Sequence, residues 1–150
     1  MSTSLRIIAV ALCASAVSSL AVCKGEGPRY GDFKCNHDAT HRVCAHLVDS
    51  SDGKCEELSW GKGTFWQITN QEAWNWKDRV CEEPNPGDGW CICMWATAQL
   101  IENVGCDNVH IDCAATDTAY VMSKYHDGGV KLNAAHDCLV KKCGAEGHHR

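Results

Sequence analysis

The stretch Gly87-Asp-Gly-Trp-Cys-Ile-Cys-Met-Trp-Ala-Thr-Ala-Gln-Leu-Ile-Glu-Asn-Val-Gly105 carries the clearest structural signals of the chain. Its first apolar run, Trp90–Met94, is short and follows a Gly-Asp-Gly turn, which predicts a strand. Directly after it, the apolar residues Trp95, Ala98 and Ile101 recur at the spacing of a helix. Because Gly105 is a suitable residue for a helix end, we predict a helix over residues 95–104.

Upstream, the residues of His41–Val48 alternate between two faces, which predicts a half-buried strand. One face carries Val43, Ala45 and Leu47, and the other carries Arg42, Cys44 and His46. A further short strand is predicted over Val109–Cys113. Residues 58–80 hold four tryptophans and two glycines without a clear period, so we predict a long, partly ordered loop there.

Two more helices are predicted towards the end of the chain. Thr116 or Asp117 can cap a helix that runs to about Tyr125. A last helix near Asn133–Lys142 ends in lysines, which suit the negative end of a helix dipole. Together these elements predict an α+β domain with a small sheet and two or three helices.

Residues 1–21 have the pattern of a secretory signal peptide. Arg6 supplies the positive start, an apolar run follows, and Ser19-Leu-Ala21 offers small residues before a cut after the last of them. A cut after Ala16 is the alternative. Because the apolar run is shorter than the roughly 20 residues of a membrane span, we favour a cleaved leader over an uncleaved anchor. Residues 22–150 then form one secreted, extracellular domain.

The cysteines indicate what stabilises this domain. The chain has 12 cysteines in 150 residues, and because Cys13 lies in the leader, 11 remain. Such a density in an exported chain is typical of a disulfide scaffold. Since 11 is odd, at most five bridges form and one thiol is left over. Cys23, beside the predicted cut, is the expected leftover thiol and the expected link in a disulfide-bonded dimer.

The charge of the chain excludes some partners. The formal net charge is −5, and it becomes −6 when Arg6 leaves with the leader. A mildly acidic domain without a run of lysine or arginine is a poor candidate for binding nucleic acid or an anionic membrane. We therefore expect neither partner, and the sequence calls for no cofactor.

The segment Pro86-Gly-Asp-Gly-Trp-Cys-Ile-Cys93, followed by a helix, resembles the signature of the family named domain of unknown function 2237. The matching positions are Pro86, Gly87, Asp88, Trp90, Cys91 and Cys93. An upstream His-x-Val-Cys-Ala strand of that family resembles residues 41–45, and the likeness extends over roughly residues 30–122. The resemblance implies a fold and no particular activity.

Cys91 and Cys93 are the first candidate site. Residues two apart in a strand point to the same face, so these thiols would form a labile redox pair or two adjacent metal ligands. The alternative is that each pairs with a distant cysteine or is buried. A second candidate is a zinc site formed by Cys35, His37, His41 and Cys44, since thiolates and imidazoles suit Zn²⁺. An oxidising compartment competes for those thiols.

Trp74 and Trp76 are the third candidate site, because they lie in a polar run and are the tryptophans that we expect to be exposed. Exposed tryptophans stack on sugars or form the centres of protein contacts, whereas Trp90 and Trp95 are expected in the core. We predict a secreted, disulfide-stabilised binding or structural module for an unknown protein or carbohydrate ligand. The alternatives are a redox protein and a Cys/His metal-binding protein.

Enzymatic activity is not expected. The sequence has neither a Gly-x-Ser-x-Gly nor a His-Glu-x-x-His motif. The remaining route to catalysis is the odd cysteine, since a free cysteine beside a histidine can act as a nucleophile.

Overall fold

A computed structural model describes residues 19–26, 29–82 and 86–145. The predicted leader lies outside the described residues apart from its last three. Among the described residues, only two helices exceed two turns. The elements are β1 (His41–His46), β2 (Val48–Asp49), β3 (Glu56–Glu57), α1 (Phe65–Ile68), α2 (Lys77–Val80), β4 (Gly89–Cys93), α3 (Met94–Val104), α4 (Thr118–Met122), β5 (His126–Asp127), β6 (Val130–Lys131) and α5 (Asn133–Cys143).

The antiparallel pair of β1 and β4 lies at the centre of the molecule. The alternation of β1 places Val43 and Ala45 in the main core, fully buried. The other face is covered as well, because Cys44 is only 1% exposed within a second buried cluster. The predicted strand is confirmed over His41–His46, but its second face is fully covered at Cys44. Because Arg42 and His46 are polar, the sequence pattern predicted a solvent-exposed face and did not reveal the disulfide cluster that covers Cys44.

Helix α3 begins directly after β4 and packs its apolar face on α5 and on the β1–β4 pair. It ends at Gly105, whose φ of 85° is rarely open to other residues. The predicted helix near Asn133–Lys142 corresponds to α5, which ends at Gly144 in the left-handed conformation. The α+β class and the three predicted helices are confirmed, with Asp117 as the cap of α4.

Two predictions about local structure need correction. The sheet is divided into three two-stranded pairs among the described residues, and the predicted strand over Val109–Cys113 contributes a single bridge from Ile111 to Ala45. Residues 58–80, predicted as a long loop, contain the one-turn helices α1 and α2 and a short 3-10 helix at Glu72–Trp74. Helix α1 has a reciprocal cap, since Gln67 N–H donates to Thr64 Oγ1 and Thr64 N–H donates to Gln67 Oε1.

Disulfides connect segments that are far apart in the sequence. Within the described residues, ten cysteines form five intramolecular bridges: Cys23–Cys44, Cys35–Cys91, Cys55–Cys81, Cys106–Cys138 and Cys113–Cys143. The domain is therefore a disulfide-stapled α+β fold. Cys93 is the free cysteine of this part of the chain.

The expectation that Cys23 is the leftover thiol was wrong. Cys23 is fully buried and bonded to Cys44, so its sulfur is not free to link a second chain. The physical reason is that residues 19–26 are anchored: Cys23 N–H donates to Phe33 O, and Gly89 N–H donates to Lys24 O. Cys23 is therefore buried although it lies only two residues after the predicted cleavage site.

In the part of the chain that the structure describes, no helix is long and apolar enough to cross a membrane.

Candidate functional site

A cleft of about 310 Å³ lies beside β4. One side is β4 itself, from Trp90 to Cys93. The opposite side is the segment of residues 65–76, and Arg29 and His41 complete the lining. Its volume falls at the lower end of the range for pockets that bind small molecules. The cleft brings together Trp74, Trp76, Cys91 and Cys93, which the sequence singled out separately.

The tryptophans form the outer wall of the cleft. Trp74 is 66% exposed and Trp76 is 37% exposed, whereas Trp90 is only 5% exposed. The ring centroids of Trp76 and Trp90 are 5.6 Å apart in a tilted arrangement, a distance typical of attractive aromatic pairs. The wall therefore combines a fixed inner ring with two rings that face solvent and are available to a ligand.

Arg29 is held in a fixed orientation at the edge of the cleft. Its Nε donates to Glu26 Oε1 at 2.7 Å, and its Nη2 donates to Glu26 Oε2 at 3.0 Å and to Cys91 O at 2.6 Å. The guanidinium carbon also lies 4.7 Å from the centroid of the Trp90 ring, which is a cation–π contact. Among the described residues, Nη1 has no hydrogen-bond acceptor.

Glu26 is the buried counterpart of Arg29. Its side chain is fully buried and accepts a further hydrogen bond, at 2.6 Å, from the backbone N–H of Cys91. Burial raises the pKa of this carboxyl, and the charge and hydrogen bonds of Arg29 oppose the rise. A buried acid with this many donors ties Glu26 and Arg29 to strand β4, which lines the cleft.

The predicted redox pair of Cys91 and Cys93 does not exist as a pair. Cys91 is bonded to Cys35, whereas Cys93 is free and 8% exposed. The alternative, that each pairs with a distant cysteine or is buried, holds for both: Cys91 pairs with Cys35, and Cys93 is buried. Both residues line the cleft, but the cleft holds a single thiol.

The predicted zinc set is also not assembled. Cys35 and Cys44 belong to two different disulfides, so neither offers the thiolate that zinc requires. His37 Nε2 lies 2.5 Å from Asp32 Oδ1, and His41 Nδ1 lies 2.7 Å from Asp38 Oδ2. The sulfurs of Cys23, Cys35 and Cys44 do lie within 4.8 Å of one another, because two disulfides pack side by side. The residues present therefore do not fit a metal ion.

Native Cys93 is expected to react with iodoacetamide about tenfold or more slowly than the same thiol in unfolded, non-reduced protein at neutral pH. Burial raises the pKa of this thiol, and a hydrogen bond with Thr40 only partly opposes the rise. Because only the thiolate is alkylated, the native rate should keep rising as the pH is increased beyond 9. Peptide mass spectrometry of timed samples measures both rates, and equal rates at neutral pH would contradict the prediction.

The sequence did not indicate Glu26, Arg29 or the inner aromatic residues of the cleft. Glu26 and Cys91 are 65 positions apart, and no periodic pattern connects them. The Glu26-x-x-Arg29 spacing suits a local ion pair, but that spacing is common on solvated surfaces. The capping box at Thr64 was the available signal that Phe65 and Trp66 begin an ordered, buried turn.

The chain was compared with protein-family models, with curated proteins and with solved structures. No family model, no curated protein and no solved structure matches it.

Proposed function

We propose that this protein is a secreted, disulfide-stabilised binding module whose ligand occupies the aromatic cleft. The observation that carries the proposal is the pair of solvent-facing rings, Trp74 and Trp76, in the lining of a cleft whose other side includes buried residues of β4. Large aromatic rings left exposed next to a concave surface are typical of binding sites. The proposed relationship to the family named domain of unknown function 2237 concerns the fold and does not identify a ligand.

The lining favours a ligand with flat apolar faces and a few hydrogen-bonding groups. Trp74, Trp76 and Trp90 supply the stacking surfaces, and Arg29 and Gln71 supply polar groups at the edge. Arg29 is already paired with Glu26, so the cleft has little net charge to attract a strongly ionic ligand. A sugar ring and the side chain of a protein hot spot both have this combination of features.

Residues 1–21 and the five bridges support the proposed secretion. Disulfides of this number are typical of proteins from oxidising compartments. Expression of the full chain in a eukaryotic secretory host tests the proposal directly. We expect the protein in the medium with an N-terminus at Val22, and retention of the uncut chain in the cell membrane would contradict it.

Replacing Trp74 and Trp76 together with alanine is expected to weaken ligand binding at least tenfold while leaving thermal stability nearly unchanged. Truncation of a stacking residue at a contact centre commonly costs about 2 kcal/mol or more of binding energy. Trp74 is 66% exposed, and the loss of the Trp76–Trp90 ring contact should cost only about 1 kcal/mol of stability. The screen is a glycan array together with a displayed-peptide library, and calorimetry then gives the affinity of the ligand found.

Tyr125→Ala is the matched control, because Tyr125 is a 58% exposed aromatic residue that does not line the cleft. The affinity of the Tyr125→Ala variant for the ligand should equal that of the unmodified protein. If the Trp74/Trp76 variant binds as well as this control, the cleft is not the binding site.

A further inference from the structure

Cys93 and His41 face each other across the central strand pair. Their Cα atoms are register partners at the end of β1 and β4, and both residues line the cleft. Directly opposite side chains on an antiparallel pair are neighbours on the same face. A shift of register between His41 and Val43 interrupts the ladder here, and such a bulge changes the direction of the side chain at that point.

Asp38 fixes the orientation of the His41 ring. The carboxylate accepts from His41 Nδ1 at 2.7 Å and from the backbone N–H groups of His41 and Thr40 at 2.7 Å and 2.9 Å. The hydroxyl of Tyr30 donates to the same carboxylate oxygen as the ring. Because Nδ1 is occupied, the imidazole nitrogen that can exchange a proton with a ligand is Nε2, which has no hydrogen bond with the described residues.

Asp38 is expected to remain ionised as this arrangement requires. Its burial alone would raise the pKa of the carboxyl. The hydrogen bonds from the His41 backbone, Tyr30 and the Thr40 backbone outweigh that effect and hold the pKa well below its usual range. A carboxylate that stays charged keeps the Nδ1 proton of His41 in place and stabilises the imidazolium once Nε2 takes a second proton.

Cys93 is a buried thiol in the cleft that His41 also lines. Cys93 is the residue that precedes the first turn of α3, an 11-residue helix, and the helix start favours negative charge on the sulfur. Burial raises the pKa of the thiol, so the thiol is protonated near neutral pH and alkylation through the free thiolate is slow. A faster reaction at this sulfur needs a base in the cleft that removes the proton only as the new bond to a bound ester forms.

We propose that Cys93 and His41, with Asp38 as the positioning residue, form a thiol acyl-transfer site for esters or thioesters whose apolar or aromatic acyl group packs in the cleft. The inference rests on the proposed function, since it places the reaction in the same cleft. Phe65 and Trp66 supply an apolar inner side for such an acyl group. Arg29 Nη1 is a hydrogen-bond donor at the edge of the same cleft for the carbonyl oxygen.

The reaction has two steps, and each is balanced. In the first, the Cys93 sulfur bonds to the carbonyl carbon, and the thiol proton moves to His41 Nε2. The bond from that carbon to the alcohol oxygen or thiol sulfur breaks, and the leaving group takes the proton from His41. In the second, water attacks the S-acyl carbon and gives a proton to His41, the carbon–sulfur bond breaks, and the Cys93 sulfur regains that proton.

The test uses the full secreted protein and 4-nitrophenyl butyrate as the probe ester. We expect a burst of 4-nitrophenol equal to the amount of protein and an intact mass increased by one butyryl group, which digestion places on Cys93. Cys93→Ser should abolish the stoichiometric burst. His41→Ala should slow acylation on the order of 100-fold, and added imidazole should restore part of the rate, an effect that a structural role for His41 would not produce.

Two further variants complete the test. Asp38→Asn should lower the acylation rate about tenfold without changing the affinity of the cleft for its ligand. His110→Ala changes a residue outside the cleft lining, so this variant should be acylated at the same rate as the unmodified protein. Non-reducing peptide maps and circular dichroism confirm that each variant keeps its five disulfides and its fold.

Failure of this inference and failure of the proposed function give different results. If the unmodified protein shows no acyl adduct and no burst, or if His41→Ala acylates at the normal rate, the thiol site is wrong. Ligand binding that depends on Trp74 and Trp76 would still stand in that case. If acylation occurs but Trp74 and Trp76 do not affect binding, the thiol site stands and the binding module is wrong.

Discussion

Replacing Glu26 with alanine is expected to lower the free energy of unfolding by about 3–5 kcal/mol, the usual cost of removing one partner from a buried ion pair. Glu26 is fully buried and accepts from Arg29 twice and from the Cys91 backbone once. Its removal leaves a largely enclosed guanidinium without its carboxylate and a buried N–H group without its acceptor. The same change should weaken the cleft, because Arg29 lines it.

Urea unfolding near neutral pH, followed by circular dichroism, measures this effect. Glu26→Gln is the conservative variant: it retains the shape and a hydrogen-bond acceptor but loses the charge, so its loss should be smaller, about 1–3 kcal/mol. Glu56→Ala removes an exposed acid from β3 and should change stability by less than about 0.5 kcal/mol. A Glu26→Ala loss no larger than that of Glu56→Ala would contradict the role given to the buried pair.

Removing the Cys35–Cys91 bridge by a double alanine substitution is expected to cost about 4 kcal/mol. The bridge closes the longest loop of the five, with a sequence separation of 56, and the entropy lost by the unfolded chain grows with loop length. Both cysteines are fully buried beside the Cys23–Cys44 bridge. Their replacement also leaves a small cavity in that cluster, which adds to the loss.

The Cys55–Cys81 bridge offers a matched control, since it is only half-buried and closes a shorter loop with a separation of 26. Its double alanine variant should lose about 3.5 kcal/mol by the same loop-closure argument, without the cavity contribution. Chemical unfolding of the two variants, with free thiols counted in each, gives the comparison. A larger loss for the Cys55–Cys81 variant would contradict the account of the buried cluster.

Several elements follow from local patterns and were predictable. The apolar run before Cys93 forms β4, and the helical spacing after it forms α3. Gly105 and Gly144 end their helices as such glycines commonly do. The structure of residues 58–80 was harder to predict. Short turns there bury Phe65 and Trp66, whereas a long helix would have shown a periodic apolar face in the sequence.

The candidate site was predictable only in pieces. Trp74 and Trp76 were expected to be exposed, and they are. The cysteine count required at least one free thiol, but identifying it as Cys93 required knowing that Cys23 reaches Cys44 and that Cys35 reaches Cys91. Nothing in the spacing of His41 and Asp38 showed that their side chains form a hydrogen bond at the cleft that Cys93 lines.

The sequence by itself determined the α+β class, the dense disulfide scaffold and the main strand–helix unit. These features depend on residue composition and on periodicities that extend over neighbouring positions. Only the tertiary structure decided the cysteine pairing, the burial of Glu26 against Cys91 and the assembly of the cleft from residues 29, 41, 65–76 and 90–93. Those contacts join residues far apart in the chain, and their partners are selected by the packing of the whole domain rather than by any local preference.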